Sequence, residues 1–191
     1  MSATPSDPAM RRVTFDSPLG PLTAGAVDDG VCLLGFADRE KVDRAPRDLR
    51  AWLGGTAGAR AERHLDQLQT ELAAYFRGRL TTFTVPLVTP GTAFQRAVWE
   101  ALRAIPYAAT CSYRDIATAV GNPGAVRAVG TTNGRNRIAL VIPCHRVINA
   151  GGGLGGYGGG LDRKRWLLDL ERSTAASATT APLPSTTAAT P

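Results

Sequence analysis

The chain has 191 residues, 43% hydrophobic and 20% charged, enough apolar material for one large domain or two small ones. Three cysteines cannot close a disulfide framework, and neither a charged-then-apolar leader nor a long apolar run is visible, so a disulfide-stapled scaffold and a membrane protein are excluded and the cytoplasm is the expected setting. The net charge of +6 is unevenly spread: residues 1–90 hold 11 Lys/Arg and 11 Asp/Glu, whereas 91–172 hold 11 and 5, a basic segment suited to a polyanionic partner.

Residues 1–10 are small and punctuated by proline, and both they and 173–191, almost wholly Ser, Thr, Ala and Pro, are expected to be disordered. Between Arg12 and Phe36, short β-prone runs alternate with turns at Ser17-Pro18-Leu19-Gly20 and Asp28-Asp29-Gly30, the pattern of an antiparallel meander. Ala61 to Phe76 places Leu65, Leu68, Leu72 and Phe76 at helical spacing, and Gly78 stops that helix. The run Val85 to Gly91 reads as a linker or edge segment, which divides the chain into an α/β domain over 11–88 and a mainly helical domain over 91–172.

In the second domain Thr92 can cap a helix carrying Phe94, Val98, Leu102 and Ile105, ended by Pro106. Ser112 can cap a short helix from Tyr113 to Val120, Gly121-Asn122-Pro123 closes it, and helical patterning resumes from Gly124 to Asn133. Helix, tight turn and helix in a basic segment suggest a helix-turn-helix, a pattern that a plain helical hairpin shares. A β-prone run, Ile138 to Ile142, then delivers the chain to Pro143-Cys144-His145-Arg146-Val147, and a glycine-rich stretch from Gly151 to Gly160 follows. The last helix, Leu161 to Arg172, sets Leu161, Lys164, Leu168 and Glu171 on one face.

Cys144 and its neighbours carry the chemistry. A cysteine is a nucleophile only as its thiolate, and a proline, a histidine and an arginine around Cys144 make a polar, electropositive surrounding that favours that form. His145 can take the thiol proton, and Glu171 can orient and support the imidazole, a Cys-His-acid relay. Cys32 and Cys111 fit inert packing instead, and His64 reads as an ordinary helix residue.

Phe94-Gln95-Arg96-Ala97-Val98-Trp99, Ser112-Tyr113, Gly121-Asn122-Pro123, Arg127-Ala128-Val129-Gly130, Pro143 to Val147 and Gly156-Tyr157-Gly158-Gly159-Gly160-Leu161 follow in one order and spacing. In these motifs, from about Phe94 to Glu171, the chain resembles the methylated-DNA–protein-cysteine methyltransferases, which repair O6-alkylguanine in DNA. The first half is similar to that family's N-terminal domain, a small sheet with helices in a ribonuclease-H-like arrangement. The resemblance implies a single-turnover enzyme that moves an alkyl group from guanine O6 to Cys144. It assigns His145 to thiol activation through a bridging water, Glu171 to holding His145, and Asn136 to bracing the turns around the site. Tyr113, Val147, Tyr157 and Gly158 would bind the extruded base, Tyr113 donating to the ring as negative charge builds. Arg127 would enter the gap left by the flipped nucleotide; an arginine on such a helix is often a phosphate contact, but its place in Arg-Ala-Val-Gly favours the role in the gap. Gln95, Arg114, Asn122, Ala125, Ala128 and Ala150 would contact DNA, the small residues allowing close approach in the minor groove.

The sequence departs from the family pattern in places: Arg137 follows Asn136 where other members have proline, and Gly158 stands where some carry serine. Some relatives hold zinc, but with Cys32, Cys111, His64 and His145 as the only thiol and imidazole residues besides Cys144, no metal site can be assembled and no metal or other cofactor is expected. The expected partner is double-stranded DNA bearing alkylated guanine, met by a monomer, with no membrane involved. Two rivals are a helix-turn-helix regulator whose Cys144 senses damage, and a Cys-His-Glu hydrolase that turns over repeatedly.

Overall fold

The β-prone runs between Arg12 and Phe36 fold as an antiparallel meander. Strands β1 (Arg11–Phe15), β2 (Leu22–Val27) and β3 (Gly30–Phe36) form an antiparallel sheet in the order β1-β2-β3 in the computed structural model, which describes residues 10–38, 53 and 57–180. Only Asp28 and Asp29 separate the paired Val27 and Gly30, and Gly30 is required there: its φ is +148°, and a Cβ would stand 2.6 Å from the Pro86 carbonyl oxygen. Asp28 also caps the next element, its Oδ1 accepting from Gly58 N (2.9 Å) and Ala61 N (3.1 Å), so that helix α1 (Ala59–Phe76) starts without a capping side chain of its own. The buried face of α1 is Ala61, Leu65, Leu68, Leu72 and Tyr75. The spacing therefore closes on Tyr75, with Phe76, expected on that face, only partly buried.

Two capping boxes open helices in the second half. Thr92 and Gln95 exchange hydrogen bonds at the start of α2 (Ala93–Arg103), and Ser112 and Asp115 do so at the start of α3 (Tyr113–Ala119). A tight turn through Gly121, with φ +74°, leads to α4 (Val126–Gly134), which begins two residues later than the patterning suggests, with Ala125 as its N-cap. Two-residue strands β4 (Cys111–Ser112) and β5 (Val147–Ile148) pair in parallel. Helix α5 runs from Leu161 to Thr180.

Four expectations are corrected. Ile138 to Ile142 is a run of turns with one bridge at Ile138, because Leu140 adopts φ +70° and the chain folds back on itself. The tail does not lose order at Ser173: α5 continues over helix-favouring alanines, and the Thr174 side chain packs where a Cβ on Gly78 would lie 2.7 Å away. Met10 belongs with the sheet, 2% exposed and 3.3 Å from the Cys32 sulfur. Leu161 is exposed, so the buried face of α5 is Lys164, Leu167, Leu168 and Glu171. The disorder expected for 1–9 and 181–191 lies outside the described residues.

The free edge of β3 joins the halves. Val31 N donates to Pro86 O (2.8 Å) and Leu34 N to Arg137 O (2.7 Å), so the same strand grips the 85–88 segment and the approach to Cys144. One hydrophobic cluster runs from Leu22 and Leu34 through Leu72, Val98 and Ile116 to Cys144 and Leu167. Among the described residues no helix is long and apolar enough to cross a membrane.

Candidate active site

Pro143 cannot extend a ladder, and the chain passes through a single 3-10 turn, Cys144–Arg146, before β5. The turn points three consecutive side chains inward: Cys144, His145 and Arg146 are 6%, 0% and 5% exposed. Asn136 braces it from the end of α4. Its Nδ2 donates to Ile142 O (2.8 Å) and to the Cys144 sulfur (3.1 Å), and its Oδ1 accepts from Ile138 N (3.0 Å).

Glu171 comes from α5, seven residues after Lys164 and on the same face. Its Oε1 accepts from His145 Nε2 (2.9 Å), Tyr75 O–H (2.7 Å) and Arg146 Nη2 (3.0 Å), and its Oε2 from Arg146 Nε (2.9 Å) and Ala108 N (3.0 Å). Burial works to raise the carboxyl pKa, but the hydrogen bonds and charges of His145 and Arg146 outweigh it and bring it from 4.5 to about 2. A carboxylate only accepts, so the His145 nitrogen facing it carries the hydrogen. Burial lowers the His145 pKa below its ordinary 6.5 against the opposing pull of Glu171, which leaves the ring neutral at pH 7. Nδ1, buried and without a hydrogen-bond partner among the described residues, is then the basic nitrogen.

The thiol departs from the sequence expectation. Its polar neighbours do not make a resting thiolate: burial raises the Cys144 pKa above 9.0, and the Asn136 hydrogen bond and Lys164 charge reduce that rise without cancelling it. For the sulfur to act as a nucleophile, its proton would have to be removed as it reacts. Lys164, fully buried, donates to Val147 O (2.6 Å), Leu154 O and Gly156 O (3.5 Å), tying β5 to the glycine-rich stretch. Burial lowers its pKa from 10.5 to about 8, against the pull of the Cys144 charge.

Tyr113 reaches the site because Ser112 caps α3 while pairing with Ile148. A Cβ on Gly155 would stand 3.2 Å from its hydroxyl, so the glycine loop closes against the phenol. Burial, then the charge of Cys144, raises the Tyr113 pKa. Tyr157 lies edge-on to Phe36 at 6.3 Å, its hydroxyl buried without a hydrogen-bond partner among the described residues and its pKa raised well above 10.0, by burial first. Val147 is buried, and Gly158 is exposed on the loop.

The structure thus brings together two hydrogen-bonded pairs, Asn136 with Cys144 and Glu171 with His145, adjacent through the chain at Cys144 and His145, with Tyr113 and Tyr157 within electrostatic reach of Cys144. Of the expected DNA contacts, Arg114, Asn122, Arg127, Ala128 and Ala150 are exposed, and Ala125 is half-buried at the N-cap of α4. Gln95 is engaged in the α2 capping box, where its Oε1 accepts from Thr92 N (2.9 Å). Sequence reasoning missed Arg146, Lys164 and Tyr75 as parts of the site. Arg146 had a signal, lying inside the Cys-His-Arg motif, and so did Lys164, sharing a helix face with Glu171. Tyr75 had none, since it meets Glu171 across 96 residues of chain.

Comparison with known proteins converges on one family. Residues 10–89 match the 6-O-methylguanine DNA methyltransferase ribonuclease-like domain, and residues 93–173 match the DNA binding domain of the same description. The methylated-DNA–protein-cysteine methyltransferase of Mycobacterium bovis is 48% identical over 165 residues, 85% of this chain and 92% of that protein. The one from Methanosarcina acetivorans is 43% identical over 83% of this chain and 96% of its own. Among solved structures, the Mycobacterium tuberculosis protein in complex with DNA superposes with a TM-score of 0.71 at 45% identity, covering 84% of this chain and 92% of that one. The O6-methylguanine-DNA methyltransferase of the archaeon Pyrococcus kodakaraensis gives 0.56 at 26% identity over 85% and 98%.

Proposed function

The chain belongs to the 6-O-methylguanine DNA methyltransferase family, and from that premise we propose that it repairs O6-alkylguanine in double-stranded DNA by taking the alkyl group onto Cys144, once per molecule. The observation that carries this reading is the buried Cys144 sulfur held by Asn136 at 3.1 Å, next to a His145 whose Nε2 is locked on Glu171 at 2.9 Å. With Nε2 occupied, Nδ1 accepts the thiol proton through a water. The sulfur attacks the alkyl carbon, the S–C bond forms, the C–O6 bond breaks, and its electron pair moves onto the guanine. Tyr113 protonates the ring, and the proton held by His145 restores the phenol through solvent.

Glu171 stabilises the imidazolium formed on the way, the role of the acid in a relay of this kind. Tyr157, Gly158 and the backbone at Val147 line the base pocket. Arg127 fills the place of the flipped nucleotide, while Arg114, Asn122, Ala125, Ala128, Ala150 and Gln95 face the duplex. Flipping costs a few kcal/mol and is cheapest for a poorly paired base, which favours the damaged site. The reading places this chemistry in the 91–172 domain of a cytoplasmic monomer.

The test is to mix the protein with a duplex containing one O6-methylguanine and weigh its peptides. The Cys144 peptide should gain one methylene mass, guanine should be restored, and product should stop at one equivalent. Continuing turnover with Cys144 unmodified overturns the proposal and favours a hydrolase.

A further inference from the structure

Tyr75 belongs to α1, outside the half of the chain to which alkyl transfer is assigned, yet its hydroxyl donates to Glu171 Oε1 at 2.7 Å. It is fully buried, and its ring is fixed by Phe76, Phe83 and Tyr107, with centroids 5.5, 5.4 and 6.1 Å away. Phenylalanine would serve such an aromatic cluster without a hydroxyl to desolvate, and burying a hydroxyl is costly unless it is bonded. The partner this hydroxyl takes is the carboxylate oxygen that holds His145.

We propose that Tyr75 is a positioning residue for alkyl transfer: its hydrogen bond aims Glu171 at His145 and limits the negative charge that Oε1 presents to the imidazole. The inference rests on the alkyl-transfer reading above. Three donors share Oε1, from Tyr75, His145 and Arg146, and each takes part of that oxygen's charge. Removing the phenol O–H leaves a more basic oxygen, which favours the imidazolium. The charged groups that act on His145 are Glu171 and Lys164 from α5 and Arg146 from the 3-10 turn; Tyr75 from α1 bonds to Glu171, and the Tyr107 ring lies 5.5 Å from the Arg146 guanidinium, so both face this set through its charged members. Tyr75 is the contribution of the N-terminal domain to this set.

Two full-length proteins test the proposal: Tyr75→Phe, and one with 3-fluorotyrosine in place of Tyr75, a stronger donor of the same shape. Titration of the His145 ring nitrogens by NMR, in protein that has met no DNA, is read beside the single-turnover methyl-transfer rate against pH. Tyr75→Phe should move both the His145 titration and the acid limb of the rate up by about half a pH unit, about threefold in rate on that limb. The fluorotyrosine protein should move both down. An unchanged titration and rate profile in both proteins, with only thermal stability altered, overturns the proposal and reduces Tyr75 to packing. Should Tyr75→Phe fail to fold, the sign of the fluorotyrosine shift decides. Failure of the unsubstituted protein to transfer methyl would instead overturn the alkyl-transfer reading, and the His145 titration would still be readable.

Discussion

Glu171 holds together three side chains that cannot be satisfied separately. Glutamine in its place would offer one acceptor oxygen to the donors of His145, Arg146, Tyr75 and Ala108, and it would leave the Arg146 charge buried without its counter-ion. Glu171→Gln is therefore expected to cost about 3 kcal/mol or more, read as a lower urea midpoint with an unchanged slope, and to slow alkyl transfer. The pH dependence has a defined sign. The folded carboxyl titrates at about 2 and the ordinary one at 4.5, so between those values the unfolded chain binds more protons. Stability is fully present above about 4.5 and declines as pH falls toward 2. Urea midpoints measured across that range should fall for the unsubstituted protein and be flatter for Glu171→Gln. At this scale Cys144 and His145 were legible because reactive residue types in a motif mark themselves, and Glu171 because it shares a face of the last helix with Leu168 and Lys164. The protonation of the thiol was not, since burial decides it and burial is a property of the folded chain.

Helix starts were the most legible elements, because Thr92 with Gln95 and Ser112 with Asp115 are local devices that need no tertiary contact. The 138–142 segment was misread for the converse reason: a β-prone composition fits equally a strand and a buried turn, and Asn136 with Leu34 chooses the turn. The α3–α4 pair gives a prediction of its own. Arg127, exposed as the second residue of α4, makes no ion pair among the described residues that would hold it from a phosphate or a base stack. Arg127→Ala should weaken binding to duplex DNA and slow methyl transfer more than it lowers stability. If its contact is a phosphate, the slope of log affinity against log salt should also fall by about one. Binding measured at several salt concentrations, beside the single-turnover rate, separates phosphate contact from a role in the vacated stack.

The hydrophobic core is continuous between the two halves, so their stability is shared. Leu72 of α1 is 1% exposed and belongs to the same cluster as Val98, Ile116 and Leu167. Leu72→Ala should cost about 2–5 kcal/mol and shift unfolding monitored by tryptophan fluorescence and by far-ultraviolet circular dichroism to the same lower midpoint. Two separated transitions would show that the halves unfold independently. The same continuity explains how α1 can reach Glu171: the helix that packs on the sheet with Leu65, Leu68 and Leu72 carries Tyr75 one turn further, to the place where α5 brings Glu171.

Taken by itself, the chain determined what local patterning can specify: the meander, the capped helices, the basic second half and the motif that holds the nucleophile. These depend on backbone preference, side-chain period and residue chemistry within a few positions. The tertiary structure alone decided which distant groups meet. It buried Cys144 so that its proton stays on at rest, paired Arg146 with Glu171, closed the glycine loop on Lys164, and brought Tyr75 of the N-terminal half to Glu171. Such contacts depend on packing across the whole chain, and in a buried site the loss of water turns each of them into a large electrostatic effect.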